Sequence, residues 1–329
     1  TIDVFHLSLS GTTKLRGMLE IVSSASEFET VPIRRHEDVL LRRIYDRMPL
    51  KLDKIQFENP FHKTFVLLQA HFSRLTLPAD LAQDQRDILN RVLTLLNACV
   101  DVMSSGAMLN AIVAMEISHM CVQAVWDRDS PLRQVPHFTA ATIQRCQARG
   151  IHDVYALADV LPDMSQHERD ELLQLNKRQL ADVATLTNEF PYVDIEFDIL
   201  DKEKLDSAST IILQAKLERD VDEEDEQPSD PTAIAPFYPS PKMTAWWLVI
   251  GDPGTNSLLS IKRVTIAKTL DVRLEFMLPA GMHDKLKLYL MCDSYIGADR
   301  ELDVPALHVA QGEEDEEVDD EDDIEMPDA

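Results

Sequence analysis

The chain lacks the parts that would mark a self-contained catalyst. Its 329 residues contain no GxxxxGK[ST] phosphate loop. Gly11-Thr12-Thr13-Lys14 has only a passing likeness to one and lacks the first glycine. There is no DExH box, no GxSxG elbow and no HExxH zinc pair, and the ten histidines never cluster in sequence. The four cysteines (Cys99, Cys121, Cys146, Cys292) form no CxxC pair and have no histidine at zinc spacing. No N-x-S/T sequon and no signal peptide is recognisable. The longest apolar run carries too many polar groups to span a bilayer. The expectation is a chain of a reducing compartment with no enzyme activity, no cofactor, no metal and no membrane.

What is present in excess is negative charge. The formal net charge is −26, but residues 313–329 hold twelve acids and no base, and residues 218–230 hold eight acids against one base. The rest of the body is only mildly acidic, which argues against broad nucleic-acid coating and leaves room for a local basic groove. Residues 34–74 are the candidate, with nine Lys/Arg against five Asp/Glu. Arg34, Arg35, Arg42 and Arg43 are therefore the candidates for a weak RNA contact, although a solvated helix face explains them equally well.

The longest apolar stretch is Ser105–Trp126, SGAMLNAIVAMEISHMCVQAVW, enough for about six helical turns. Within it Glu116, His119 and Gln123 stand at i, i+3 and i+7, which stacks them in one line. The pattern predicts a central pillar helix whose single polar line faces water, a partner or a channel. The plainer reading makes the line the exposed edge of a core helix.

Other segments arrange themselves around this pillar. Thr1–Gly11 looks β-tinged and starts abruptly, as though separated from neighbours. Apolar periodicity predicts helices over Leu15–Val22 and Leu40–Met48, and two stronger ones. Phe61, Phe65, Leu68, Phe72 and Leu75 repeat with helical spacing, as do Ile88, Val92, Leu95, Cys99 and Val102. Residues 1–130 are expected to be an all-helical bundle. Residues 131–190 carry shorter helices, at Thr139–Arg149 (ended by Gly150), at Asp153–Val160, after a Ser165/Glu168 capping box, and through Leu180, Val183 and Leu186. Residues 191–311 alternate with period two. Strand candidates lie at 192–200, 208–218, 244–251, 257–266, 271–278, 285–293 and 300–309, which predicts an antiparallel β-sandwich of immunoglobulin type. Residues 219–242 read as a mobile loop, and 312–329 as a disordered acidic tail. Trp246 and Trp247 are adjacent in a strand, so their rings point to opposite faces. One fills the sandwich core. The other must be covered by a partner, a neighbouring domain or the long loop, which makes the pair a candidate protein interface.

Three stretches, SSASEFETVPIRRHED (23–38), NPFHKTFVLLQAHFSRLTLP (59–78) and the pillar running into WDRDSPLRQVPHF (126–138), resemble the Sec-sixty-three (Brl) homology unit. The order of helical bundle, helix-hairpin-helix domain and immunoglobulin-like (fibronectin-III/C-two-like) sandwich resembles it too, over essentially the whole chain. PFHKTFVLLQAHFSR and SPLRQVPHF look more like the spliceosomal Ski-two-like RNA-helicase branch than the endoplasmic-reticulum translocation branch. A free-standing adaptor is the alternative from another class. The resemblance implies a nuclear, non-catalytic accessory module acting in pre-mRNA splicing as a protein-interaction platform and a scaffold around an RNA channel. It implies spliceosomal proteins and the parent's helicase core as partners, weak or indirect RNA contact and a monomeric fragment. It also places the long helix across the channel, with Glu116, His119 and Gln123 on the channel side. The family's phosphate-binding hairpin is glycine-rich. The corresponding stretch here, Val135-Pro136-His137-Phe138, has no glycine, and only Gly150 remains as a helix cap. The resemblance thus makes the hairpin a spacer.

Overall fold

Helices form where the apolar spacing demands them. The computed structural model describes residues 1–221 and 231–312. Its N-terminal half contains α1 (Ile2–Ser8), α2 (Leu15–Ser23), α3 (Asp38–Asp46), α4 (Pro60–Phe72), α5 (Ala79–Ser105) and α6 (Ile112–Gln123). Asn59 opens α4 by accepting the Phe61 and His62 N–H groups, with Pro60 at the first helical position. Phe65, Leu68 and Phe72 of α4, and Ile88, Val92, Leu95 and Cys99 of α5, are all buried.

Two expectations for this half are corrected. The β-tinged opening is helical: α1 has Phe5 buried, while Ile2, Val4 and Leu7 stay exposed. Phe5 is the one residue of α1 that is buried, so a β-tinged composition was a poor guide. The pillar is two elements, because α5 runs to Ser105 and the chain then leaves the helix, with Ala107 at φ 53° and a 3₁₀ turn at Leu109–Ala111. The β unit takes the peptide groups freed by the break. Leu109 N–H donates to Asn256 O at 3.1 Å, and Leu258 N–H to Ala107 O at 2.9 Å. Asn110 N–H donates to Asn256 Oδ1 at 2.9 Å. The long helix is therefore α5, with 27 residues.

Next come α7 (Ala140–Ala148), α8 (Val154–Val160), α9 (Gln166–Leu173) and α10 (Lys177–Glu189). Gly150, at φ 78°, closes α7. Its N–H donates to Gln147 O and the Ile151 N–H to Cys146 O, which is the Schellman pattern that favours glycine. The tight turn joining two helices is thus Arg149–Asp153, and Val135–Phe138 only leads into α7. Ser165 and Glu168 form the expected capping box on α9.

The strands are β1 (Val193–Ile199), β2 (Ile211–Arg219), β3 (Trp246–Asp252), β4 (Ser257–Val264), β5 (Thr269–Phe276), β6 (Gly281–His283), β7 (Lys287–Cys292), β8 (Arg300–Asp303) and β9 (Leu307–Val309). They form a β1-β2-β5 sheet, a β4-β3-β7-β8 sheet and a short β6-β9 pair, antiparallel throughout. Every strand candidate is found, the last one split into β8 and β9. β6, only three residues long, has no readable alternation. Of the expected loop, the part from 231 is packed on the bundle: Tyr238 Oη donates to Leu89 O at 3.1 Å and Ser240 Oγ to Asn90 Oδ1 at 2.7 Å, both on α5. The remainder of that loop expectation, at 222–230, and the tail expectation, at 313–329, lie outside the described residues.

Buried side chains gather in two clusters that meet at β3. One joins α7–α10 with the inward faces of both sheets, including Leu213, Val272, Trp246, Leu248 and Ile250. The other joins the bundle with Trp247, Val249, Tyr289 and Met291, from the opposite face of β3 and β7. β3 is consequently buried on both faces from Trp246 to Gly251, and its sequence WWLVIG reads as a continuous apolar run for that reason. Register shifts at Ile250/Gly251. A Cβ on Gly251 would lie 2.6 Å from Leu109 Cδ1 and 2.7 Å from Ser257 O. Gly251→Ala is therefore expected to lower stability by about 1–3 kcal/mol, read by urea unfolding. Gly17→Ala, whose Cβ would meet only Thr13 Cγ2 at 3.5 Å inside α2, should raise it by up to about 1 kcal/mol. Equal responses at the two sites would contradict the close approach.

Candidate functional site

The line Glu116, His119, Gln123 divides. His119 and Gln123 are buried against the β4-β3-β7-β8 sheet, and Glu116 alone is exposed. His119 Nδ1 lies 3.2 Å from Cys292 O and 3.8 Å from Asp299 Oδ2. Gln123 Nε2 donates to Ser294 O at 2.7 Å and to Ile234 O at 3.2 Å. The channel-facing expectation is corrected for these two residues, because the chain's own β unit occupies that side. Burial raises the Asp299 carboxyl above its usual range, with His119 and the Cys292 N–H opposing. Partial desolvation likewise raises the Glu116 carboxyl, His119 opposing and Asp299 and Asp127 adding to it.

The tryptophans do point to opposite faces, and both are covered. Trp246 is 2% exposed and Trp247 3% exposed. Trp247 enters the bundle cluster, bordered by Asn97, Val100 and Asp101 of α5. The Arg263 guanidinium lies 3.8 Å from its ring centre. Arg263 is itself held by buried Asp293 at 2.5 Å, which also takes Lys242 at 2.6 Å. The expected protein interface at Trp246 and Trp247 is thus corrected to an internal joint between the bundle and the β unit.

The basic stretch divides too. Arg34 is tied to Asp84 at 2.5 and 2.8 Å and to Glu37 at 3.1 Å. Its hydrogen bonds to Asp84, the largest influence, push it further above its ordinary range. Behind it Lys63, fully buried, donates to Asp84 at 2.7 Å, Glu37 at 2.8 Å and Pro32 O at 2.5 Å. This four-residue network joins the segment leading into α3 to α4 and α5, and Arg34 is a structural member of it. Arg35, Arg42 and Arg43 are exposed, and Arg42 lies over the Phe57 ring at 5.1 Å. They remain available at the surface.

Two further residues carry roles that their local sequence does not announce. Arg74 donates to Gln123 O, Ala124 O and Arg133 O, closing the C-terminal end of α6. Burial lowers its pKa to about 10. His71 Nε2 lies 2.6 Å from Cys121 O, and burial lowers its pKa to about 4. The αL residue Ala124 was the only local sign that α6 needed such a cap, and it is visible only in three dimensions. Among the described residues no group of His, Cys, Asp and Glu is arranged to hold a metal. Among the same residues no helix is long and apolar enough to cross a membrane.

A helical bundle fused along one face of an antiparallel β unit defines a mixed α/β class. The chain belongs to the family whose model is described as the Sec63 Brl domain, which matches residues 1–305. This is the family expected from the stretches at 23–38, 59–78 and 126–138. The chain is 46% identical over 302 residues to the Pre-mRNA-splicing factor brr2 of Schizosaccharomyces pombe, a match covering 92% of this chain and 14% of that protein. It is 42% identical, with the same coverage, to the U5 small nuclear ribonucleoprotein 200 kDa helicase of Homo sapiens. It is 41% identical over 307 residues to the DExH-box ATP-dependent RNA helicase DExH12 of Arabidopsis thaliana, again spanning 14% of it. The chain thus corresponds to a small part of each relative's length.

The buried network gives the sharpest test of this region. Burial alone would raise the Asp84 carboxyl, but hydrogen bonds from Arg34 and Lys63 outweigh that and hold it below its ordinary range. Because the native value is depressed, its stabilisation is complete above the unfolded value of about 4 and is lost as pH falls through the native one. Asp84→Asn should remove that part of the acid dependence. Lys63→Met, which removes the buried cation and leaves Asp84 and Glu37 to the half-exposed Arg34 alone, should cost up to about 3–5 kcal/mol at pH 7. Urea unfolding at pH 7 and at pH 3 checks both, and a Lys63→Met loss below about 1 kcal/mol would contradict the network.

Proposed function

We propose that the chain is a non-catalytic accessory module of a nuclear, spliceosomal RNA helicase. It acts as a protein-interaction platform and as a scaffold beside the RNA channel of its parent protein. Identity to splicing helicases over 92% of the chain supports the setting. The strand orders β1-β2-β5 and β4-β3-β7-β8 correspond to A-B-E and C′-C-F-G of immunoglobulin-like sandwiches. That supports reading 191–311 as such a sandwich, 131–190 as a helix-hairpin-helix domain turning at Gly150, and 1–130 as the bundle. In this reading the 27-residue α5 is the helix that lies along the channel.

The observation that carries the platform reading is the outer face of the β1-β2-β5 sheet. The bundle uses up the opposite sheet, leaving this one outward. Its exposed positions are Asp194, Glu196 and Asp198, then Gln214, Lys216 and Glu218, then Thr269, Asp271, Arg273 and Glu275. Six carboxylates against two cations repel phosphate and complement a basic protein surface. RNA contact falls to Arg35, Arg42 and Arg43, exposed single charges whose grip is weak and salt-dependent.

The test is capture of spliceosomal proteins from nuclear extract by the chain and by an Asp194→Ser, Glu196→Gln, Glu275→Gln variant. The variant should keep its melting temperature within a few degrees and lose most of the captured protein. Unchanged capture by a folded variant would contradict the reading.

A further inference from the structure

Beside this acidic sheet lies a cleft of about 710 Å³ between α8, the end of α10 and the ends of β1 and β2. Its aromatic wall is built edge to face. Tyr155 meets Phe190 with ring centres 5.1 Å apart and Tyr192 at 5.5 Å. Tyr155 Oη donates to Pro191 O at 2.9 Å, and Arg219, which also lines the cleft, donates to Glu189 O at 3.1 Å. Tyr192 remains 42% exposed. Its ring already has one guanidinium over it, that of Arg300, 5.1 Å from the ring centre. Asp159, Glu189 and Asp220 line the same cleft. No ion pair is formed by any of the three carboxylates among the described residues. The last turn of α10, at Thr187–Glu189, lies there too and presents the negative end of the helix.

We infer that this cleft is a binding site for an arginine side chain on a basic segment of a partner protein. A planar guanidinium can pack against an aromatic wall while donating to carboxylates and helix-end carbonyls. All three groups converge here, and the three carboxylates outnumber the one cation of the lining, Arg219, which favours a guanidinium over a phosphate. The inference rests on the platform reading and supplies its specificity. The acidic sheet attracts a basic segment over a broad area, and the cleft selects an arginine at one point along it.

The probe is a labelled peptide, acetyl-Gly-Arg-Gly-Arg-Gly-Ser amide, compared with its citrulline counterpart, which keeps the shape and loses the charge. Binding to the full chain is read by fluorescence anisotropy, and its position by NMR of the tyrosine ring resonances. The arginine peptide should bind and shift Tyr155 and Tyr192, while the citrulline peptide should bind at least tenfold more weakly. Asp159→Asn with Asp220→Asn, and separately Tyr192→Ala, should each reduce arginine-peptide affinity at least fivefold. All three positions are exposed, and circular dichroism melting verifies that the variants fold. Equal affinity for the two peptides would overturn the inference. So would binding that ignores these substitutions, including binding to the acidic stretches alone, or an RNA oligonucleotide displacing the peptide from the cleft. If the cleft fails while nuclear proteins are still captured through the sheet face, only this inference falls. If the peptide binds here but no spliceosomal protein is captured, the platform reading falls instead.

Discussion

The structure depends on one strand being wanted by two cores. β3 gives Trp246, Leu248 and Ile250 to the core between the two sheets and α7–α10, and Trp247 and Val249 to the bundle side. Neither core is complete without it. Burying a large side chain is worth roughly 1.5–3 kcal/mol, so separating the halves would expose several such groups at once. The polar contacts follow the same logic. Once α6 is pressed on this sheet, the carbonyls at and just after the end of β7 lose water, and His119 and Gln123 stand opposite them. Their place in the sequence looked like an exposed stripe because polar residues needed at a joint and polar residues facing water have the same spacing.

That joint also explains why the pillar breaks. A continuous helix through Gly106–Ala111 would keep its own peptide hydrogen bonds and leave the turn before β4 unpaired. Interrupting it lets Ala107 and Leu109 pair with Leu258 and Asn256, while Asn110 reaches back to Ser10 O and Thr13 O. Three segments distant in sequence are tied at one point, and Gly251 is the residue whose missing side chain allows the approach. The joint leaves the β1-β2-β5 face and its neighbouring cleft as the outward surface.

Much of this was readable from the residues. Period-two burial marked the strands, since β1, β2 and β5 bury one face and expose the other. Helical spacing marked α4 and α5, and the Ser165/Glu168 pair marked the start of α9. The opposite orientation of Trp246 and Trp247 followed from strand geometry alone. What covered the second ring did not, because occupancy is a tertiary fact. The ion network was hidden for the same reason: Arg34 and Asp84 are fifty positions apart, and a charge that is buried and paired looks identical in sequence to one in solvent. α1 misled because a few β-favouring residues are a poor guide in a short segment in which only Phe5 is buried.

The central claim is that the helical bundle and the β unit form one cooperative unit through β3. Native-state hydrogen exchange under increasing denaturant measures this directly. The account predicts that amides of α6, β3 and β7 exchange with the same, highest opening free energy, close to that of global unfolding. Two separate opening units, with α6 exchanging well before β3, would contradict it.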